Sequence, residues 1–380
     1  MQPTGEIAVV GHVCLDVIPT FLEGTGPALA PGTLVKVGPA LRSTGGAVSN
    51  TGLALHRLGV KVRLLGKVGA DLFGREVLAI MESQGTGLAS GMIVTPGETT
   101  SYSIVLSPPG VDRMFLHCPG ANDTFSADDV DPQRLRGARL LHFGYPPLMR
   151  RMYLDQGNEV KKILARAKTL QITTSLDMAS VDAQSECGQV DWTTYLRNVL
   201  PLVDVFAPSV EELLYMLEHD TWELLWRQHG KIDIAAHLDA PTISRLAERS
   251  LEMGAAVVLI KLGDQGVYVR TTPDQQRIKQ MGLGGPANVA AWTNRRAATS
   301  CYQVAVAGTT GSGDCTIAGF LAGLLAGQSP EEASASAVGT GACSVERPDA
   351  TSGVPTWAQL RTRIEGGWKK LPSVLGEKIQ

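Results

Sequence analysis

The chain is poor in aromatic side chains and carries no large excess of either charge. Phe, Trp and Tyr make up 5% of its 380 residues, and 34 basic residues stand against 37 acidic ones. So balanced a charge leaves no basic footprint for a nucleic acid or an anionic membrane surface, and neither is expected as a partner. Cysteines are few and scattered: Cys14, Cys118, Cys187, Cys301, Cys315 and Cys343. No two form a CxxC pair and no histidine sits at metal-ligand spacing, which argues against a disulfide framework or a zinc module. Reduced, mostly buried thiols in a cytoplasmic protein are the expectation. Long apolar runs are missing as well. Ile317 to Ala326 is the longest and is too short to span a bilayer. Met1 to Glu6 lacks the basic start of a signal peptide. Two nucleotide-binding patterns are also absent, the P-loop GxxxxGK[ST] and a strand-linked GxGxxG. Gly282-Leu283-Gly284-Gly285 follows no strand and precedes no periodic helix, so it reads as a flexible loop rather than a dinucleotide fingerprint.

What is present suits a globular α/β protein. The apolar fraction is 44%, enough for a large core, and the length suits one large domain or two smaller ones. Ile7 to Gly11 is short, apolar and closed by a turn residue, as a buried parallel strand should be. Asp16 lies just beyond it, at the sheet edge where open α/β folds bind ligands. Further strands are expected at Val62–Leu65, Leu140–Phe143, Thr173–Leu176, Val203–Ala207, Val257–Lys261, Val267–Arg270 and Val304–Val306. Helical spacing fills 155–168, 210–230, 242–253, 314–326, 331–346 and 356–365 between several of them. This alternation predicts a three-layer, doubly wound, mostly parallel sheet with helices on both faces. Thr33–Val37, Thr99–Val105 and Arg113–His117 predict a small separate β-sheet. It would serve as a lid, built from about 17–42 and 98–120, to keep water from a reacting site. Residues 218–240, with Trp222, Trp226, His229 and His237, read as a helical insertion. Its plainest role is an amphipathic surface helix with packed tryptophans.

The most telling stretch is Gly308-Thr309-Thr310-Gly311-Ser312-Gly313-Asp314-Cys315-Thr316-Ile317-Ala318-Gly319-Phe320-Leu321. Small residues let a backbone approach an anion closely. The N–H groups of the helix that follows point at that anion, and the helix dipole favours it. Asp314, beside them, can take a proton from an attacking hydroxyl. Those are the parts of a phosphoryl-transfer site. Nearer the N-terminus, Gly45-Gly46 and Asn50 combine a close backbone approach with a carboxamide that can bond sugar hydroxyls. Taken alone, that block is equally a strand-to-helix turn.

Together these blocks resemble, in order and over nearly the whole chain, the ribokinase-like (PfkB) family of carbohydrate kinases. The resemblance implies a single kinase domain across 1–380. In it Asp314 is the general base, and the backbone of Gly311, Ser312 and Gly313 is the anion hole. Asp16, Gly45, Gly46, Asn50 and Asn122 would bind the substrate. Ser209, Lys261, Gly263, Gly266, Thr309, Gly311, Gly313 and Gly341 would bind ATP, and Glu212 would hold Mg²⁺ indirectly. Ser209 stands where the family has Asn, and its plainest role is to cap a helix begun by Glu211 and Glu212. The turn at Gly263 to Gly266 likewise has a purely structural reading. Gly308 replaces an Asp of the family signature, Asp349 a Gly and Gly353 a Ser, which speaks against an activating monovalent cation. The implied activity is ATP-dependent phosphorylation of a small sugar or sugar acid at a primary hydroxyl. The alternatives are a nucleoside kinase of the same fold and a non-catalytic sugar- or nucleotide-binding sensor. The scarcity of aromatics near the lid segments favours a sugar over a nucleoside. The family also raises a homodimer formed through the lid.

Overall fold

The structure is a computed structural model that describes residues 1–21, 34–107, 114–229 and 234–372. Strands are numbered along the chain. The first eight are β1 (Glu6–Gly11), β2 (Cys14–Phe21), β3 (Val37–Gly45), β4 (Lys61–Leu65), β5 (Lys67–Gly69), β6 (Ile93–Thr95), β7 (Tyr102–Leu106) and β8 (Met114–Cys118). The remainder are β9 (Ala138–Gly144), β10 (Thr173–Leu176), β11 (Val205–Phe206), β12 (Val257–Lys261), β13 (Val267–Thr271) and β14 (Arg296–Thr299). Helices of eight or more residues are α1 (Ala47–Arg57), α2 (Leu72–Gln84), α3 (Asn158–Thr169), α4 (Trp192–Val199) and α5 (Val210–Leu217). They continue with α6 (His219–His229), α7 (Ala240–Glu252), α8 (Ser312–Leu325), α9 (Pro330–Ser344) and α10 (Trp357–Glu365).

The main sheet runs β14-β13-β12-β11-β10-β9-β1-β4. It is parallel from β12 to β4, and β13 and β14 extend it antiparallel. Alternation along β1 shows why it needs two helical layers. Ala8 and Val10 enter one core with residues of α3, α4, α5 and α7. Ile7 and Val9 enter the other with residues of α1, α2, α8, α9 and α10. A strand buried on both faces is continuously apolar, which is how it was legible in the sequence. The chain leaves β1 for β4 on one side and returns to β9 on the other. A reversal of this kind opens a crevice at the carboxyl ends of the strands, here beside Gly11 and Gly144.

The smaller sheet has the order β3-β2-β7-β8. Its boundaries differ from those expected. Asp16 does not sit in a turn after β1 but inside β2, paired with Ser43 and Ser103. The strand expected at Thr33–Val37 starts only at Val37, and Thr33 lies outside the described residues. Gly38 and Pro39 disguised it, but β3 is an edge strand, where a proline costs no ladder bond. The Pro-Pro-Gly turn at 108–110 also lies outside the described residues.

Two other expectations change. Val304–Val306 forms no strand, and Val306 is 63% exposed. The edge is built instead by Arg296–Thr299, whose charged start hid it. The helix expected over 210–230 breaks at Glu218 into α5 and α6. Helix α6 buries no residue fully, although Trp222 leans on the core. Residues 230–233 of the expected insertion lie outside the described residues. Gly282–Gly285 does not hang free: Leu283 N–H donates to Gln171 O at 2.8 Å and Gly284 N–H to Thr173 Oγ1 at 2.9 Å. All six cysteines are free thiols. No described helix is long and apolar enough to cross a membrane.

Candidate active site

Helix α8 drives into the core through Cys315, Ile317, Ala318, Phe320 and Leu321, all fully buried. That burial fixes where its N-terminus lies. Gly311 caps it at φ 70°, and a Cβ there would come within 2.6 Å of the Ala350 Cβ. Both the left-handed backbone and the close approach require glycine. Ser312 N–H is bent back to Thr309 O at 3.3 Å. Of the three expected anion-hole donors, that one is therefore spent on its own loop in this structure.

Asp314, in the first turn of α8, is 3% exposed. Its Oδ1 accepts from Thr51 Oγ1 at 3.0 Å. Its Oδ2 accepts from Asn50 Nδ2 at 3.1 Å and from the Tyr145 hydroxyl at 2.7 Å. Three donors thus fix the orientation of a buried carboxylate. Helix α1 supplies two of them, and its own start explains the glycine pair. Gly46 caps α1 at φ 86°, where a Cβ would lie 2.5 Å from His12 Nδ1, and a Cβ on Gly45 would lie 2.4 Å from Asp16 Oδ2. The pair thus lets the Asp16 carboxylate and the His12 ring come against the backbone.

Asp16 accepts a bond from Cys14 Sγ at 3.3 Å, and burial pushes its carboxyl up to about 6 despite bonds from Cys14 and Ser103. Rings of His12, His117 and Tyr145 gather beside it, with His12 5.4 Å from His117 and 6.0 Å from Tyr145 between centroids. His12 is 2% exposed with neither ring nitrogen partnered, and burial followed by His117 lowers its pKa to about 3. It is therefore a neutral imidazole with one donor and one acceptor to offer.

On the other flank, Lys261 ends β12 and its Nζ meets Asp177 Oδ1 at 2.7 Å. A Cβ on Gly313 would stand 3.5 Å from Lys261 Cδ and 3.7 Å from Nζ, so this cation underlies the start of α8. Asp177 Oδ2 is buried and unpartnered. Burial pushes the Asp177 carboxyl up to about 8, with Glu212 and Asp314 adding to the rise and Lys261 opposing it. Three carboxylates therefore share one region with a single ammonium. Asp204 provides the contrast. It lies at the opposite end of the strands, saturated by Lys168 and Arg277 at 2.7 Å each, and reads as structural.

The remaining expected positions divide. Ser209 and Glu212 form a reciprocal capping box, Glu212 N–H donating to Ser209 Oγ at 3.2 Å and Ser209 N–H to Glu212 Oε2 at 2.7 Å. Glu212 also bears electrostatically on Lys261 and Asp177, so the capping carboxylate lies in the field of that ion pair. Gly263 and Gly266, at φ 59° and 103°, make the β12–β13 turn. Gly341 is where α9 packs on α8, a Cβ there falling 2.4 Å from Thr316 Oγ1. Thr309 is exposed on the loop before α8. Asn122 does not reach toward Asp16 with a free amide. Its Oδ1 accepts from Val13 N–H and its Nδ2 donates to Val13 O, at 3.3 and 2.9 Å, bracing the segment between β1 and β2.

The loops behind α8 test the monovalent cation. A Cβ on Gly308 would meet the Pro348 backbone at 2.9–3.2 Å, leaving no room there for the carboxylate of an Asp. Asp349 spends its carboxylate on its own loop, on the N–H groups of Thr351 and Ser352 and on Ser352 Oγ. These residues do not fit a cation-binding pair. A cavity of about 720 Å³ lies alongside, lined in part by Asn50, Arg57, Thr309 and Ser352.

Sequence reasoning missed Thr51, Tyr145, Asp177 and His12. Three of these carried a usable signal. His12, Tyr145 and Asp177 each directly follow a parallel strand at its carboxyl end, the placement expected for Asp16.

Comparison with known proteins agrees with this geometry. The model of the pfkB family carbohydrate kinases matches residues 4–357. An uncharacterized sugar kinase of Archaeoglobus fulgidus is 26% identical over 80% of this chain and 98% of its own. Among solved structures, a fructokinase with bound ATP from Xylella fastidiosa superposes with TM-score 0.70 at 18% identity, covering 95% of this chain and 98% of its own. The nucleoside kinase of Methanocaldococcus jannaschii superposes with TM-score 0.66 at 18% identity, over 96% and 100%. At such identities the superpositions speak for the fold, and the same fold serves sugars and nucleosides.

Proposed function

Because the chain belongs to the pfkB family and is an ATP-dependent carbohydrate kinase, we propose that it moves the ATP γ-phosphoryl group to a primary hydroxyl of a small sugar or sugar acid. The acceptor lies between Asp16 and Asp314, and Asp314 takes its proton. The observation that carries this reading is the Asp314 carboxylate, buried at a glycine-entered helix start and held by Asn50, Thr51 and Tyr145.

Asp16, with the unpartnered nitrogens of His12, offers acceptors and a donor for the other hydroxyls of the acceptor. The N–H groups at the start of α8, with Lys261 beneath Gly313, stabilise charge on the transferring group. Catalysis on this reading is mostly positioning and electrostatics. The carboxylates of Asp177 and Glu212 suit Mg²⁺, and the orphaned Asp177 Oδ2 is the atom that most wants a cation. When bound with the nucleotide, that ion would neutralise phosphate charge. The smaller sheet acts as the lid, and its exposed Leu41 and Phe115 share one face open to a second copy, which light scattering would detect as a dimer.

Changing Asp314 to Asn tests the base. Turnover should fall by at least about a hundredfold, the usual contribution of a positioned base, while ATP affinity stays within a few-fold. A variant that phosphorylates its sugar at the parent rate would rule the assignment out. The ring cluster of His12, His117 and Tyr145 favours a second reading, a nucleoside acceptor. A panel of adenosine, inosine, ribose, fructose and 2-keto-3-deoxygluconate separates the two. Ligand binding without ATP turnover across that panel would point to a sensor.

A further inference from the structure

Tyr145 stands out on three independent grounds. It directly follows β9, at the crevice edge of the sheet. It holds φ 69° and ψ 45°, a left-handed conformation rare for any bulky residue. The residue after it is Pro146, which pushes its predecessor toward extended backbone. A conformation so disfavoured persists only where the surroundings impose it, and such residues gather at working sites. What the conformation achieves is visible. It points the half-buried ring past His12 and sets the phenol 2.7 Å from Asp314 Oδ2.

A carboxylate has about four lone-pair sites. In Asp314, Asn50 and Tyr145 take both on Oδ2 and Thr51 takes one on Oδ1. One remains, on Oδ1. We propose that Tyr145 is a positioning residue for the base: its phenol locks Oδ2 and leaves Oδ1 as the oxygen that receives the acceptor's proton. The proposal rests on Asp314 being the base. Burial and then the charges of Asp314 and Asp177 hold the phenol far above its usual range, so it stays a donor. Other groups bear on the same site, and none of them makes this bond. They are Asp177 after β10, Glu212 on α5, Lys261 at the end of β12 and Cys315 on α8 itself.

The test is Tyr145→Phe, which keeps the ring and removes only the hydroxyl. With that donor gone, Oδ2 is held by Asn50 alone and Oδ1 is no longer the fixed acceptor. The kcat should fall about tenfold, as for loss of a hydrogen bond to a charged group, with the KM for the acceptor little changed. The KM for ATP should hold, and the melting temperature should fall by only a few degrees, as for the loss of one bond. A merely structural tyrosine would not lower kcat while leaving KM in place, so a Phe variant with the parent kcat overturns the proposal. A second measurement needs no turnover. In Asp314→Asn, near-UV titration should show one tyrosine ionising at lower pH than in the parent, and adding Tyr145→Phe should remove that signal. If no tyrosine moves, the phenol is not coupled to this carboxylate and the proposal fails. If the parent phosphorylates nothing while the tyrosine does move, it is the kinase reading that fails and the pairing stands.

Discussion

Replacing Asp16 with Asn should make the protein more stable and worse at its task. Burial raises the folded Asp16 carboxyl from its ordinary value of 3.8 to about 6. The folded state therefore binds more protons than the unfolded chain between those values. The contribution of Asp16 to stability falls as pH climbs from about 4 to about 6 and is level above that window. A rise of about two units corresponds to about 3 kcal/mol lost at pH 7.5 and about 1 kcal/mol at pH 4.5. The neutral carboxamide avoids that loss and still offers one oxygen to Cys14 or Ser103. Equilibrium urea unfolding of parent and variant at both pH values measures the effect. Asp16→Asn should gain about 2 kcal/mol more at pH 7.5 than at pH 4.5, an upper figure because a half-buried carboxylate keeps some water. The same substitution should raise the KM for the acceptor, because hydroxyl donors are what make a buried carboxylate's charge favourable again. An equal stability difference at the two pH values would refute the burial argument. Greater stability with an unchanged KM would refute the link to substrate.

Three further outcomes follow from the same geometry. Acceptor affinity in the parent should tighten as pH rises through about 6, where Asp16 ionises, and isothermal titration across that range would follow it. Gly311→Ala forces a left-handed alanine against Ala350, costing about 1–2 kcal/mol from the backbone alone. Its melting temperature and its kcat should both drop, since the helix start moves with it. Exchanging potassium for tetramethylammonium should leave kcat unchanged, because Gly308 and Asp349 supply no free carboxylate for a cation. A potassium-dependent rate would show that reading to be wrong.

Much of the fold was legible because parallel strands buried on both sides leave continuous apolar runs. Thr173–Leu176 and Val257–Lys261 lie where their sequence placed them. The misplaced elements share a cause. Arg296–Thr299 and Val37–Gly45 are edge strands, where one side faces solvent and charge, glycine and proline are tolerated. Val304–Val306 shows the converse, apolar residues on a surface loop. In the site, Asp314, Gly311 and the Gly45-Gly46 pair were visible because their chemistry is local, each tied to its own helix start.

By itself, then, the amino-acid order determined the alternating architecture, the glycine-entered helix and its carboxylate, since burial periodicity and backbone freedom are properties of neighbours along the chain. Only the tertiary structure decided what that carboxylate meets. Its partners Asn50, Thr51 and Tyr145 are 264, 263 and 169 positions away. It also moved Asp16 from a turn into the smaller sheet, and it committed the Asn122 amide to Val13 across 109 residues. Periodicity says which face of an element is covered. Which distant side chain covers it depends on how the layers pack, and no local pattern encodes that.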